Sequence, residues 1–143
     1  MTVVFDTVVL VRGLLDPQSW WGRLLFDYAE RYELVVSPAI VAEYLDVLTR
    51  PRLARKFRVI ATRDFAAVLR IVGNATVVLP SHTPAVCRDP EDDKFIAAAM
   101  LGGAAFIVSE DADLLDLQSY EGIAIVPAEQ LLRMLDGSAR SSP

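Results

Sequence analysis

Phe95-Ile96-Ala97-Ala98-Ala99-Met100-Leu101-Gly102-Gly103-Ala104-Ala105-Phe106-Ile107-Val108 is the stretch that decides the fold. Its first half sets Phe95, Ile96, Ala99 and Met100 three and four residues apart, the spacing of one buried helix face. Gly102-Gly103 closes that helix. The chain then passes at once into Phe106-Ile107-Val108, an apolar run with no polar alternate, which suits a strand covered on both faces. A helix leading straight into such a strand is half of a parallel crossover.

The same unit recurs on either side. Val3-Val4-Phe5, Leu34-Val35-Val36, Thr76-Val77-Val78-Leu79 and Ile123-Ala124-Ile125-Val126 are further unalternated apolar runs bounded by polar or turn residues. Helical spacing predicts a helix over 18–31 from Leu24, Leu25, Tyr28 and Ala29. Another is expected over 38–49 from Ile40, Val41, Tyr44, Leu45 and Leu48, with Ser37 as its cap and Pro38 at its first position. Phe65, Val68, Leu69 and Val72 mark 62–73. The helix of the deciding stretch occupies 90–101, and Leu131, Leu132 and Leu135 mark a last one over 128–136, ended by Gly137. Strands alternating with helices give the expected architecture, a three-layer α/β/α sandwich around a mainly parallel five-stranded sheet. One domain over 1–136 and a small polar tail over 137–143 follow from it.

Composition narrows the function classes. With 143 residues, 53% apolar and 23% charged, the chain carries a core and is not a disordered segment. A net charge of −5 excludes a protein that coats nucleic acid through bulk positive charge. Cys87 and His82 are the single cysteine and histidine, so an intrachain disulfide and Cys- or His-rich metal sites are excluded. The uncharged runs 71–87 and 95–109 fall short of the ~20 apolar residues that cross a bilayer, and Asp6 and Arg12 break the apolar N-terminus. A soluble, cytoplasmic protein with no membrane partner is expected. No Gly-rich phosphate loop follows the first strand, which dismisses dinucleotide binding.

The acids point to chemistry. Sites in open parallel sheets form outside the carboxyl ends of strands, and there the sequence sets Asp6 directly after the first strand. Glu43 lies two turns into the helix after the second. Asp93 opens the helix before the fourth strand, and Asp111 and Asp113 follow that strand. Each has a plain structural use: Asp89-Pro90-Glu91-Asp92-Asp93 resembles a capped helix start, and Asp111 and Asp113 can cap a short helix. Asp6 is harder to account for, because a charge at the end of a central buried strand is costly unless paired or bound to metal. Carboxylates converging on one sheet edge raise each other's pKa, and a divalent cation resolves the conflict. Oxygen ligands alone select Mg²⁺ or Mn²⁺, and such an ion suits phosphodiester hydrolysis.

The sequence here resembles the PIN-domain nucleases, in the branch of toxins from toxin–antitoxin modules (VapC-type). The matching stretches are Val3-Val4-Phe5-Asp6-Thr7-Val8-Val9-Leu10-Val11, Ser37-Pro38-Ala39-Ile40-Val41-Ala42-Glu43, Arg88-Asp89-Pro90-Glu91-Asp92-Asp93-Lys94-Phe95-Ile96-Ala97 and Ile107-Val108-Ser109-Glu110-Asp111-Ala112-Asp113-Leu114-Leu115. The resemblance spans roughly residues 3–127 and implies Mg²⁺- or Mn²⁺-dependent cleavage of single-stranded RNA, a homodimer and a cognate antitoxin. By motif position it implies an acidic quartet of Asp6, Glu43, Asp93 and Asp111, with Asp113 in an outer role. Asp6 and Asp93 would bind the metal, Asp111 would complete a site, and Glu43 would hold the metal or orient water. Two positions depart from the pattern. Val8 stands where Asn is usual, and Glu110 where Gly or a basic residue is usual.

Arg50, Arg52, Arg55, Lys56, Arg58 and Arg63 fall in an acid-free stretch just beyond the Glu43 helix. They make either a solvated connection or a track for an RNA backbone. Arg12 and Lys94 lie close in sequence to Asp6 and Asp93 and either touch phosphate or pair with acids. Trp20 and Trp21 open a helix, and at least one is expected in the core or at a subunit contact, with base stacking as the alternative. Two other functions compete with the nuclease. Val8 and Glu110 motivate a PIN-like binding module with a weakened metal site. The Asp6-Thr7 strand end suggests a haloacid-dehalogenase-like phosphohydrolase, but that chemistry wants an acid or polar substitute where Val8 stands.

Overall fold

The computed structural model describes the backbone of residues 1–51 and 58–141, with side chains for 1–51 and 66–137. Its strands are β1 (Thr2–Phe5), β2 (Glu33–Val36), β3 (Thr76–Val77), β4 (Phe106–Val108), β5 (Ser119–Tyr120) and β6 (Ile123–Val126). The α-helices among the described residues are α1 (Thr7–Leu15), α2 (Trp20–Phe26), α3 (Pro38–Leu48), α4 (Arg58–Asn74), α5 (Asp93–Gly102), α6 (Ala112–Leu117) and α7 (Ala128–Ser141). Short 3₁₀ turns cover Ala29–Arg31 and Pro90–Asp92. No helix among the described residues is long and apolar enough to cross a membrane.

One six-stranded sheet runs in the order β3-β2-β1-β4-β6-β5. All neighbours are parallel except β5 and β6. The expected mainly parallel sheet is therefore present, but with six strands rather than five. The additional strand is half of a hairpin whose turn, Glu121-Gly122, has positive φ at both residues (50° and 81°). That is the backbone of the tight hairpin turn that matches strand twist, and Gly122 meets its demand at no steric cost.

Val3, Val4 and Phe5 of central β1 have no exposed surface, as an unalternated strand requires. β3 departs from that expectation: only Thr76–Val77 pair, and both are exposed. As an edge strand it has one neighbour, and Pro80 soon removes a donor from the chain. Helix α5 packs across β1, β2 and β4, while α1 packs on α2 and α3. It ends at Gly102, with Gly103 left-handed at φ 65°, as expected. Helix α7 continues through Gly137 to Ser141, past the stop expected there. Helix α1 was absent from the expected elements, because Thr7-Val8-Val9-Leu10-Val11 is β-branched and carries no helical period. Asp6 decides its conformation by capping it.

Strand order reverses between β1 and β4. Successive β1, β2 and β3 run toward one edge, and β4 and β6 lie on the other side. A crevice outside the carboxyl ends of strands at such a reversal is the expected place for a site.

Candidate active site

Asp6 leaves β1 at that reversal, where its backbone N–H still donates to the Val108 carbonyl of β4 (2.9 Å). Only 4% of it is exposed. Oδ1 accepts the Val9 N–H at 2.9 Å, and Oδ2 accepts the Ser109 hydroxyl and the Glu110 N–H (3.3 Å). Burial nevertheless outweighs these donors and pushes the carboxyl up to about 6. Ser109, fully buried, accepts the Asp111 N–H at 3.0 Å on the hydroxyl that it donates to Asp6. One serine thus ties the acid after β1 to the acid after β4. Asp111 in turn caps α6 by accepting the Asp113 N–H (3.0 Å).

Glu43 is placed by its neighbour in α3. Tyr44 is fully buried and donates its hydroxyl to the Phe5 carbonyl at 2.6 Å, pinning α3 to the carboxyl end of β1. Glu43 then accepts the Thr7 hydroxyl on one oxygen and Lys94 Nζ on the other (2.7 Å). Lys94 also meets Glu91 at 3.4 Å. Burial draws its ammonium down, but Glu43 and then Glu91 more than offset this and raise it.

The stretch 89–93 divides its acids by task. Asp89 caps the 3₁₀ turn through the Glu91 N–H (3.0 Å), with Pro90 at the first position, so the capped start is present. Asp93 is buried and turns Oδ1 to the N–H groups of Val86 (3.1 Å) and Cys87 (2.7 Å). Burial pushes its carboxyl up, but the Cys87 and Val86 donors prevail and hold it below the usual value. Asp92 precedes α5 yet makes no capping hydrogen bond. Burial, then the nearby charges of Asp111, Asp89 and Asp6, push it up to about 7. Ser109 links Asp6 to Asp111, Asp92 lies within reach of the charges of both, and Glu43 joins this edge through Thr7, next to Asp6. Asp93 faces the 86–87 loop instead.

Sequence reasoning passed over Asp92, Thr7 and Ser109. Two adjacent aspartates cannot be told apart by spacing alone, and a hydroxyl's partner is a tertiary fact. Asp113 lies outward, paired with exposed Arg88 at 3.2 Å. Cys87 stays a thiol, because burial and then Asp93 push it up to about 12.

The two departures acquire structural uses. Glu110 Oε1 accepts both the Trp21 indole N–H and the Ala128 N–H, each at 3.0 Å, so its charge sits at the start of α7. Val8 is exposed, and the polar hold on Glu43 comes from Thr7 beside it. Of the expected RNA-contacting cations, Lys94 is taken by Glu43 and Arg50 pairs with Asp46 (3.2 Å). Arg12 lies over the Trp21 ring, 5.0 Å from its centroid. Arg52, Arg55 and Lys56 and the side chains of Arg58 and Arg63 lie outside the described residues. A cavity of about 570 Å³ between Leu25, Leu34 and Ile71 contains none of the quartet acids.

Residues 2–113 match the family model for the PIN domain. The chain belongs to the PIN-domain family of nucleases. Among its relatives is the uncharacterized protein MJ1680 of Methanocaldococcus jannaschii, 30% identical over 117 residues, covering 81% of this chain and 74% of that protein. Among the solved structures that share the fold, two illustrate the likeness. PAE2754 from Pyrobaculum aerophilum superposes with a TM-score of 0.65 at 17% identity, over 96% of this chain and 90% of its own. VapBC2 from Rickettsia felis, bound to a DNA fragment from its promoter, gives 0.61 at 9% identity, over 87% and 97%. Family membership sets aside the haloacid-dehalogenase-like alternative.

The PIN-domain acids fit a divalent cation by their chemistry. They are oxygen donors, two of them protonate far above the usual carboxylate range, and Lys94, the one lysine beside them among the described residues, is committed to Glu43 and Glu91. Among the described residues no three acids stand close enough together to hold a metal ion as they are placed.

Proposed function

We propose that this chain is a Mg²⁺- or Mn²⁺-dependent endoribonuclease that cleaves single-stranded RNA and is the toxin of a toxin–antitoxin pair. The observation that carries the reading is buried Asp6 at the sheet reversal, tied through the Ser109 hydroxyl to the backbone of Asp111, with no cation paired to either among the described side chains. In this reading Asp6, Asp92 and Asp111 hold the metal. A divalent ion held by these carboxylates would supply Lewis-acid stabilisation of charge on phosphate oxygens. Ser109 fixes Asp6 and Asp111 relative to each other. Glu43, aimed by Thr7 and Lys94, orients the attacking water and accepts its proton. Asp93 acts on structure, by holding the 86–87 loop.

The family supports hydrolysis of nucleic acid, and oxygen-only donors support Mg²⁺ or Mn²⁺. An antitoxin partner is supported by the shared fold with a VapBC2 complex. The test is cleavage of single-stranded RNA, single-stranded DNA and duplex RNA with Mg²⁺, Mn²⁺ or EDTA. Cleavage confined to single-stranded RNA and abolished by EDTA is expected. Equal cleavage in EDTA, or none of any strand with either metal, overturns the reading.

A further inference from the structure

Beside the acids lies a cluster that the hydrolytic reading leaves without a task. Val8 and Arg12 are four residues apart on α1, and both are exposed. The Arg12 guanidinium rests over Trp21, whose indole N–H is held by Glu110, and the Glu110 backbone donates in turn to Asp6. Trp20 meets Trp21 edge-on, with ring centroids 6.2 Å apart at 82°, and is 44% exposed. Six residues of helix carry the chain about 9 Å from Asp6 to Arg12, a distance that reaches nucleotides flanking a phosphate held at the acids.

The cations around the site separate clearly. Lys94 pairs with Glu43 and Glu91, Arg88 with Asp113 and Arg50 with Asp46, whereas Arg12 has no carboxylate partner among the described residues. A guanidinium positioned by a ring keeps its donors available to a phosphate. An exposed indole beside it offers a π-face to a base, which a single strand can present and a duplex cannot.

We propose that Arg12, Trp20 and Trp21 form a platform for single-stranded nucleic acid, on which a base stacks against Trp20 while Arg12 meets a phosphate of the same strand. The platform rests on the nuclease reading and specifies where its substrate lies. Trp21 positions the other two, anchored by Glu110.

Anisotropy of a labelled single-stranded RNA of about ten nucleotides, in EDTA with the full chain, tests this. Trp20→Ala is expected to weaken binding about tenfold and Trp20→Phe to retain most of it. Arg12→Gln is expected to lower the slope of log Kd against log salt by about 0.7, and Arg12→Lys to restore it. Cleavage with Mn²⁺ is scored separately. Variants that bind with wild-type affinity and slope while the wild type cleaves overturn the platform alone. A wild type that neither binds nor cleaves removes the nuclease reading with it. Unchanged binding with a dimer-to-monomer shift in light scattering assigns the pair to a contact between copies, which also overturns the proposal.

Discussion

Asp92 and Asp93 are adjacent in sequence and opposite in circumstance. Asp93 satisfies two backbone N–H groups, so Asp93→Ala should leave both without a partner and cost about 2 kcal/mol in urea unfolding. Asp93→Asn keeps an acceptor and should cost less. Asp92 crowds Asp111 and caps nothing, so Asp92→Asn should raise the melting temperature of the metal-free protein at pH 8 by about 2–4 °C. A fall there would show that Asp92 supports the native fold as an anion. Sequence alone identified the acidic stretch and its capping residue Asp89, but the helical twist that sends one of two neighbouring carboxylates toward Asp111 depends on the 3₁₀ turn over Pro90–Asp92. Thr7 and Ser109 escaped for a related reason: each bonds a residue more than thirty positions away.

At the scale of elements, the site is built by a few packing contacts that carry no chemistry. Tyr44→Phe leaves the Phe5 carbonyl unpaired in the core, with an expected loss of about 1–3 kcal/mol. Because Tyr44 pins the helix that carries Glu43, nuclease activity should fall as well. Undiminished activity would mean that α3 is held by its other contacts. Helix α2 folds back on the turn that follows α1, where Gly22 lies against Asp16 and Pro17 and a Cβ would fall 2.4 Å from backbone atoms. Gly22→Ala is expected to cost about 1–3 kcal/mol by chemical denaturation, and unchanged stability would contradict so close an approach. Long elements with a clear period, such as α3 and α5, were legible in the sequence. Helix α1 was not, since a single capping aspartate overrides its β-branched composition. Strand β5 was not either, since Glu121-Gly122 lacks the Asn-Gly or Asp-Gly that announces a tight hairpin.

Over the whole molecule, the alternation of strands and helices determined the sheet, and the sheet order determined where Asp6 and Asp111 meet. Gathering those acids carries a pH signature. Asp6 and Asp92 protonate near 6 and 7 in the folded chain, against 3.8 for an ordinary aspartate. The native state therefore binds more protons than the unfolded one between about pH 4 and 7, and metal-free stability should fall as pH rises through that window. For Asp6 the effect is on the order of 3 kcal/mol. Melting curves in EDTA from pH 4 to 8 check this, and saturating Mn²⁺ should recover the loss at pH 7.5. The most direct measurement is calorimetric titration of Mn²⁺ into the wild type, Asp92→Asn and Asp93→Asn, with single-stranded RNA cleavage assayed in the same buffers. Asp92→Asn is expected to lose both metal binding and cleavage while Asp93→Asn retains both. Metal binding lost in Asp93→Asn and kept in Asp92→Asn, or no binding by the folded wild type, would contradict this expectation.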